Sequence, residues 1–184
     1  MYLVQTVAPI SEPITLDEVK AFAVVFEDSD DSLLTSFITV AREDVESYTN
    51  RQLMSATYEL YTDRLVQDMK MPKNPIKSIA KIEFMDDNGV YQTLSTSDYY
   101  LYGENDIYRI NFGNCIPHKT HKQAIKITFE AGYDIVPEVI KVYMKHIVST
   151  MYENREKFVV GVSVTDLVGT MYKEMISKYR VQPL

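Results

Sequence analysis

The spacing of hydrophobic positions changes period twice along this chain. Leu33, Leu34, Phe37, Ile38, Ala41, Val45 and Tyr48 recur at helical spacing, with Arg42, Glu43, Glu46 and Ser47 on the opposite side. A shorter helix is predicted ahead of this one. Thr15 is a good N-cap, and Glu18, three residues on, completes a capping box. The acidic run Glu27, Asp28, Asp30 and Asp31 interrupts the pattern as a solvated inter-helix turn, in which Asp31 can cap the second helix. Asn50 is the expected stop, since Asn tolerates the left-handed conformation.

From Thr57 onward the period falls to two. Ile76, Ser78, Ala80, Ile82 and Phe84 are expected on one face of a strand, and Lys77, Ile79, Lys81 and Glu83 on the other. Asp87-Asn88-Gly89 reads as a primed hairpin turn. Further strands are predicted over Val90 to Leu94, Tyr99 to Tyr102, Ile107 to Phe112 and Ala124 to Ala131. The short links between them imply an antiparallel meander.

Helical spacing returns at Pro137, a favoured first helical position followed by Glu138. Ile140, Tyr143, Met144, Ile147, Val148 and Met151 form its apolar stripe. A last helix is predicted from about Thr165 to Tyr179. Between the two, Phe158 to Val164 is an apolar, Gly-containing link that nothing in the sequence covers. The expected fold is α+β: mainly a helical bundle of about four helices, with a small antiparallel β-lobe inserted between the N-terminal and C-terminal helices. One domain is expected over residues 1–184, with helices at about 15–50 and 137–179 and the β-lobe at about 56–131.

Length and composition narrow the class. The 184 residues suffice for a real core, and 46% are hydrophobic. No apolar run is long enough to cross a bilayer, and the first ten residues do not read as a secretory signal. The net charge of −7 argues against a protein that grips DNA by its phosphates, yet it suits a wall past which DNA slides. A single cysteine, Cys115, forbids an internal disulfide and fits a reducing cytoplasm.

Candidate chemistry is sparse. Cys115, His118 and His121 are residue types that bind zinc, but a fourth ligand is missing nearby and Pro117 interrupts the backbone. The acidic run is not a calcium loop: read from Asp28, Leu33 stands where Gly is needed and Thr39 where Glu is needed. Gly161-Val162-Ser163 lacks the second glycine of a nucleophile elbow. Six glycines in the whole chain leave no phosphate-cradling loop. His146 reads as an ordinary helix histidine rather than a general base. Hence no catalytic residue, cofactor or metal is expected. Of the fourteen tyrosines, Tyr99, Tyr100, Tyr102 and Tyr108 crowd two neighbouring strands. Those forced outward mark protein contact, and those turned inward merely cover a small core.

An ordered set of segments carries a resemblance. Pro13-Ile14-Thr15-Leu16-Asp17-Glu18-Val19-Lys20, the run from Ala41 to Arg51, Pro75-Ile76-Lys77-Ser78-Ile79, and Gln92-Thr93-Leu94 with Asp98-Tyr99 come first. Ile127 to Tyr133, Val136-Pro137, Tyr152-Glu153-Asn154-Arg155-Glu156 and Tyr179-Arg180-Val181 follow. In this order they resemble the head–tail connector, or adaptor, proteins of long-tailed phages and prophages. Asn50 stands where that family often has Gly, Tyr58 where Trp is common, and Phe158 to Val164 departs from its pattern.

The resemblance implies a structural virion protein that is not an enzyme. It is made in the bacterial host cytoplasm and resides at the head–tail interface. It is expected to form a homo-oligomeric ring under the portal protein from subunits that can be monomeric before assembly, to complete the head, and to offer a platform to the next head-completion or tail protein. DNA passes through without sequence-specific binding, and no membrane is involved. Portal binding is expected at Tyr179, Arg180 and Val181, in a tail expected to be mobile in the free subunit. Contact between subunits is expected at Phe158, Val159, Val160 and Val162. Two other readings differ in kind: a small metal-dependent hydrolase built on Cys115, His118 and His121, and a monomeric prophage-encoded regulator.

Overall fold

The computed structural model describes residues 1–63, 66–113, 122–154 and 174–182. The chain divides into two compact units, one of Met1–Ile10 with Met54–Asp134 and one of Ser11–Leu53 with Ile135–Gln182.

The first unit is built from strands. β1 (Tyr2–Val7), β2 (Ala56–Thr62), β4 (Ile76–Met85), β5 (Tyr91–Thr93) and β8 (Ile125–Ala131) form a five-stranded antiparallel sheet in the order β1-β2-β8-β4-β5. β3 (Asp68–Lys70), β6 (Tyr100–Glu104) and β7 (Ile107–Asn111) form a second sheet in the order β3-β7-β6. Strict alternation makes β2 and β8 the centre of the larger sheet. Ala56, Tyr58 and Leu60 pair with Ala131, Phe129 and Ile127, and all six are buried. The Tyr58 and Phe129 rings stack at 5.7 Å. Met69, Met71, Ile110 and Phe112 bring the smaller sheet into the same core.

β4 departs from the period of two. Its register against β8 slips between Ile76 and Ser78 and again between Ile79 and Lys81. Each bulge inserts one residue, so Ile76, Ile79 and Ile82 turn to the core, while Ser78 and Ala80 are exposed. The Asp87-Asn88-Gly89 hairpin forms, closed by Asp86 N–H donating to the Val90 carbonyl at 2.8 Å. Of the three turn residues only Gly89 takes positive φ, at 79°, so this is not a primed turn. The meander is also incomplete. β8 leaves its sequence neighbours to lie between β2 and β4, and the strands divide between two sheets.

The second unit contains α1 (Leu16–Ala23), α2 (Asp31–Thr49) and α3 (Glu138–Glu153), with a helical turn over 174–177. The capping box forms: Glu18 N–H donates to Thr15 Oγ1 at 3.2 Å, and Thr15 N–H to Glu18 Oε2 at 2.8 Å. Asn50 ends α2 at φ 54°, as expected. Asp31 is not the cap of α2. That position falls to Asp30, without a side-chain cap bond, because Asp31 is drawn to Lys20 Nζ at 2.8 Å. Pro137 is likewise the N-cap of α3, and Glu138 its first residue.

The expectation of a mainly helical bundle with a small inserted β-lobe is therefore overturned. The fold mixes α and β, but among the described residues eight strands in two sheets outweigh three α-helices, the helical turn over 174–177 and one 3-10 turn. Strand β1 precedes the first helix, so the strands are not an insertion. Six uncharged residues with weak alternation hid β1 from the periodicity, since a short edge strand is defined mainly by its partner. No helix among the described residues is long and apolar enough to cross a membrane.

Candidate functional site

Three features of the helical unit and one of the β unit bear on assembly. The first is the end of α2. Its carbonyls need partners, and the C-terminal segment supplies them. Val181 N–H donates to the Thr49 carbonyl at 2.8 Å, and Asn50 Nδ2 donates to the Val181 carbonyl at 2.9 Å. Arg51 Nε donates to the Tyr179 carbonyl at 2.5 Å, and the Arg180 guanidinium sits 5.4 Å from the centre of the Tyr48 ring. Val181 is 3% exposed. Tyr179, Arg180 and Val181 are thus brought together, but docked on their own chain rather than hanging free. Arg180 is exposed and Tyr179 half-buried, whereas the Val181 side chain is already used.

The second feature escaped the sequence reading. Arg42 and Glu46, assigned there to the wet side of α2, are each only 8% exposed. Arg42 Nε donates to Glu12 Oε2 at 2.8 Å and its Nη1 to Glu46 Oε2 at 3.1 Å. Gln52 Nε2 and Leu53 N–H both donate to Glu46 Oε1, at 2.9 and 3.0 Å. Burial alone would lower the Arg42 pKa, but Glu46 and Glu12 outweigh it and raise it. The i,i+4 spacing of Arg42 and Glu46 was the available signal. Periodicity places charge outside by default, and only the return of Glu12 and Gln52 makes burial affordable.

The third feature is the α1–α2 turn. Lys20 Nζ bonds Asp28 at 2.6 Å and Asp31 at 2.8 Å, which pushes its pKa up to about 12. Tyr152 OH donates to Asp30 Oδ2 at 2.7 Å. The acidic run is therefore a fixed turn whose carboxylates have partners. Phe22, Val24 and Phe26 remain exposed on it. Phe22 meets the His146 ring edge-on at 4.8 Å, and burial lowers the His146 pKa.

In the β unit the four crowded tyrosines divide evenly. Tyr99 and Tyr108 pack on the core, and Tyr100 and Tyr102 face outward with their rings 5.6 Å apart. Tyr102 OH bonds Asp68, which also pairs with Arg109 Nη2 at 2.8 Å. Phe158, Val159, Val160 and Val162, and likewise Cys115, His118 and His121, lie outside the described residues. Among the described residues, no group of three or more His, Cys, Asp or Glu is arranged to hold a metal ion.

These surfaces offer donors, rings and apolar side chains to another protein. Residues 13–95 match the family described as Phage gp6-like head-tail connector protein. The resemblance to head–tail connectors is borne out over that span, while the segments quoted from Ile127 to Val181 lie beyond it. The matched span runs from the capping box through α1 and α2 and on through β2 to β5, ending at Ser95. No curated protein sequence matches the chain. Among solved structures, a chain in the neck of an empty gene transfer agent (GTA) particle, computed with C6 symmetry, shares the fold at a TM-score of 0.80 and 18% identity. A chain in the neck of the native GTA particle, computed with C12 symmetry, does so at 0.77 and 16%. One in the virion of the native particle does so at 0.76 and 16%. Each likeness covers 100% of this chain and 97% of the other. At these identities the likeness is one of fold alone, along the full length.

Proposed function

We propose that this chain is a structural connector in the neck of a tailed phage or phage-like particle, where it forms a ring beneath the portal. The ring lets DNA pass and presents a platform to the next head-completion or tail protein. The observation that carries the reading is the family match over residues 13–95, on a fold whose neighbours along the whole chain are neck components of symmetric particles. The ring, the portal contact and the virion location are inferences for this chain. A closed ring needs a head-to-tail interface that repeats with a rotation, and one chain must then carry both halves of the contact. The whole of residues 1–184 is read as one functional connector.

Portal binding is assigned to the C-terminal segment, in a form revised by its geometry. Val181 holds the segment to α2, while exposed Arg180 presents a planar fork of donors beside Tyr179. Phe158, Val159, Val160 and Val162 are kept as expected contacts between subunits on sequence grounds alone. The test is assembly in the absence of this chain. Heads that fill with DNA but fail to join tails, and are rescued by adding the protein back, are the expected result. Complete, infectious or DNA-transferring particles without it would overturn the reading.

A further inference from the structure

We propose that Asn88, in the hairpin between β4 and β5, is a site of spontaneous deamidation, where solvent water exchanges the side-chain amide for a carboxylate, and that Asp86 governs its rate. This goes beyond the connector reading and does not depend on it. Asn88 is the only asparagine in the sequence followed by glycine. Asp87, Asn88, Gly89 and Val90 are all exposed, so water and hydroxide reach the peptide freely. Gly89 takes φ 79°, and a Cβ built there would meet nothing within 4 Å. The turn thus requires glycine for its backbone conformation and not for lack of room, and no side chain shields the Gly89 nitrogen.

The reaction is an acyl transfer within one residue pair, so no second molecule has to be positioned for the first step. The Gly89 backbone nitrogen gives up its proton to hydroxide and attacks Cγ of Asn88. A new C–N bond forms, the bond from Cγ to the side-chain nitrogen breaks, and that nitrogen takes up a proton and leaves as ammonia. Water then opens the cyclic imide at either carbonyl, which leaves aspartate or isoaspartate at position 88. In sum, one water is consumed and one ammonia released, and nothing is oxidised or reduced.

The folded turn holds the nucleophile back. Gly89 N–H donates to the Asp86 carbonyl at 3.0 Å. Asp86 Oδ1 accepts from Asn88 N–H at 2.9 Å and from Val90 N–H at 3.0 Å, and Asp86 Oδ2 accepts from Gln92 Nε2 at 3.1 Å. While these bonds last, the Gly89 proton is engaged and the turn is fixed. The carboxylates of Asp86 and Asp87 also oppose negative charge developing on the Gly89 nitrogen. Attack therefore follows local opening of the turn. The products loosen the same hairpin. Aspartate adds a third carboxylate beside Asp86 and Asp87, and isoaspartate adds a methylene to the backbone of the turn. β5 pairs with β4 through Tyr91, Gln92 and Thr93, a short ladder whose register the turn helps to set.

The test incubates the full chain in mildly alkaline buffer and follows position 88 by peptide mapping with mass spectrometry, which separates asparagine, aspartate and isoaspartate. Wild type is compared with Asp86→Ala, with Asn88→Gln and with a peptide of residues 84–92. Wild type is expected to accumulate isoaspartate and aspartate at position 88, faster as pH rises and several-fold more slowly than the peptide. Asp86→Ala should bring the rate in the full chain most of the way to that of the peptide, and Asn88→Gln should abolish the change. In aged wild type, hydrogen exchange should quicken over residues 91–93 and stay unchanged across β2 and β8. Asparagine intact at position 88 of wild type while the peptide converts would overturn the site. A rate in folded Asp86→Ala no greater than in wild type would overturn the role of Asp86. The comparison of wild type with the peptide stands even if Asp86→Ala fails to fold: equal rates in the two would mean that the turn restrains nothing.

Discussion

In the β unit, charged side chains stay on the outer face of the sheet, whereas in the helical unit Arg42, Glu46 and Arg51 lie inside. On the sheet, Lys126 Nζ reaches Glu83 at 2.8 Å, and Lys81 Nζ reaches the same carboxylate at 3.1 Å. Burial would raise the Glu83 pKa, but its two lysine partners lower it. The core behind that face is continuous and apolar, from Leu60 and Phe129 to Ile110. In the helical unit the apolar stripe of α2 is shared with Arg42 and Glu46, and the end of the helix is closed by the C-terminal segment. Apolar packing is tolerant of pH and salt. Buried charge and long-range caps depend on each partner being present, so one loss propagates. The unit stitched by charge is also the one that presents the apolar turn and the tail.

Five variants break or sharpen this contrast, and hydrogen exchange resolved by segment reports each unit separately. The largest effect is expected for Phe129→Ala, which should destabilise the β unit by about 3–5 kcal/mol with little dependence on salt. Arg42→Ala should cost the helical unit about 3 kcal/mol, because it leaves Glu12 and Glu46 without their cation. Replacing Arg42 and Glu46 together by Met and Leu should recover much of that loss. If it does not, the network contributes more than compensation for its own burial.

Truncation after Tyr179 should cost about 2 kcal/mol in the helical unit, from burial of Val181 and its two hydrogen bonds. Unchanged exchange at the end of α2 in the truncated chain would show that the docked tail contributes nothing. The smallest effect concerns His146. Its pKa lies below the ordinary 6.5, so the unfolded chain takes up the proton first as pH falls. The stability this provides is fully present above about pH 6.5 and is lost as pH falls through the lower, folded-state value. A denaturation series from pH 7.5 to pH 5 should show the loss in wild type and not in His146→Gln.

The parts legible in the sequence are those fixed by local chemistry. Thr15 and Glu18 announced the first helix, Asn50 the end of the second, and Asp87-Asn88-Gly89 a hairpin, because the deciding groups lie within a few residues of each other. The alternation in β2 and β8 was readable for the same reason. What failed depends on distant partners. Two bulges in β4 move Ile79 inward, and only its register against β8 reveals them. Arg42 and Glu46 look solvent-facing until Glu12 and Gln52 arrive. Val181 looks like a loose end until Thr49 and Asn50 bind it. The exposure of Phe22, Val24 and Phe26 has no local signal either, since it is set by what the rest of the fold leaves uncovered.

The central claim is that this chain forms a ring in a virion neck. The most direct measurement is a symmetry-free image reconstruction of neck-bearing particles carrying an affinity label on this protein. The account predicts label density in a closed ring at the head–tail junction, with six or twelve copies if its symmetry follows the neck structures that share its fold. Absence of label from the neck, or its presence in one or two copies, would contradict it.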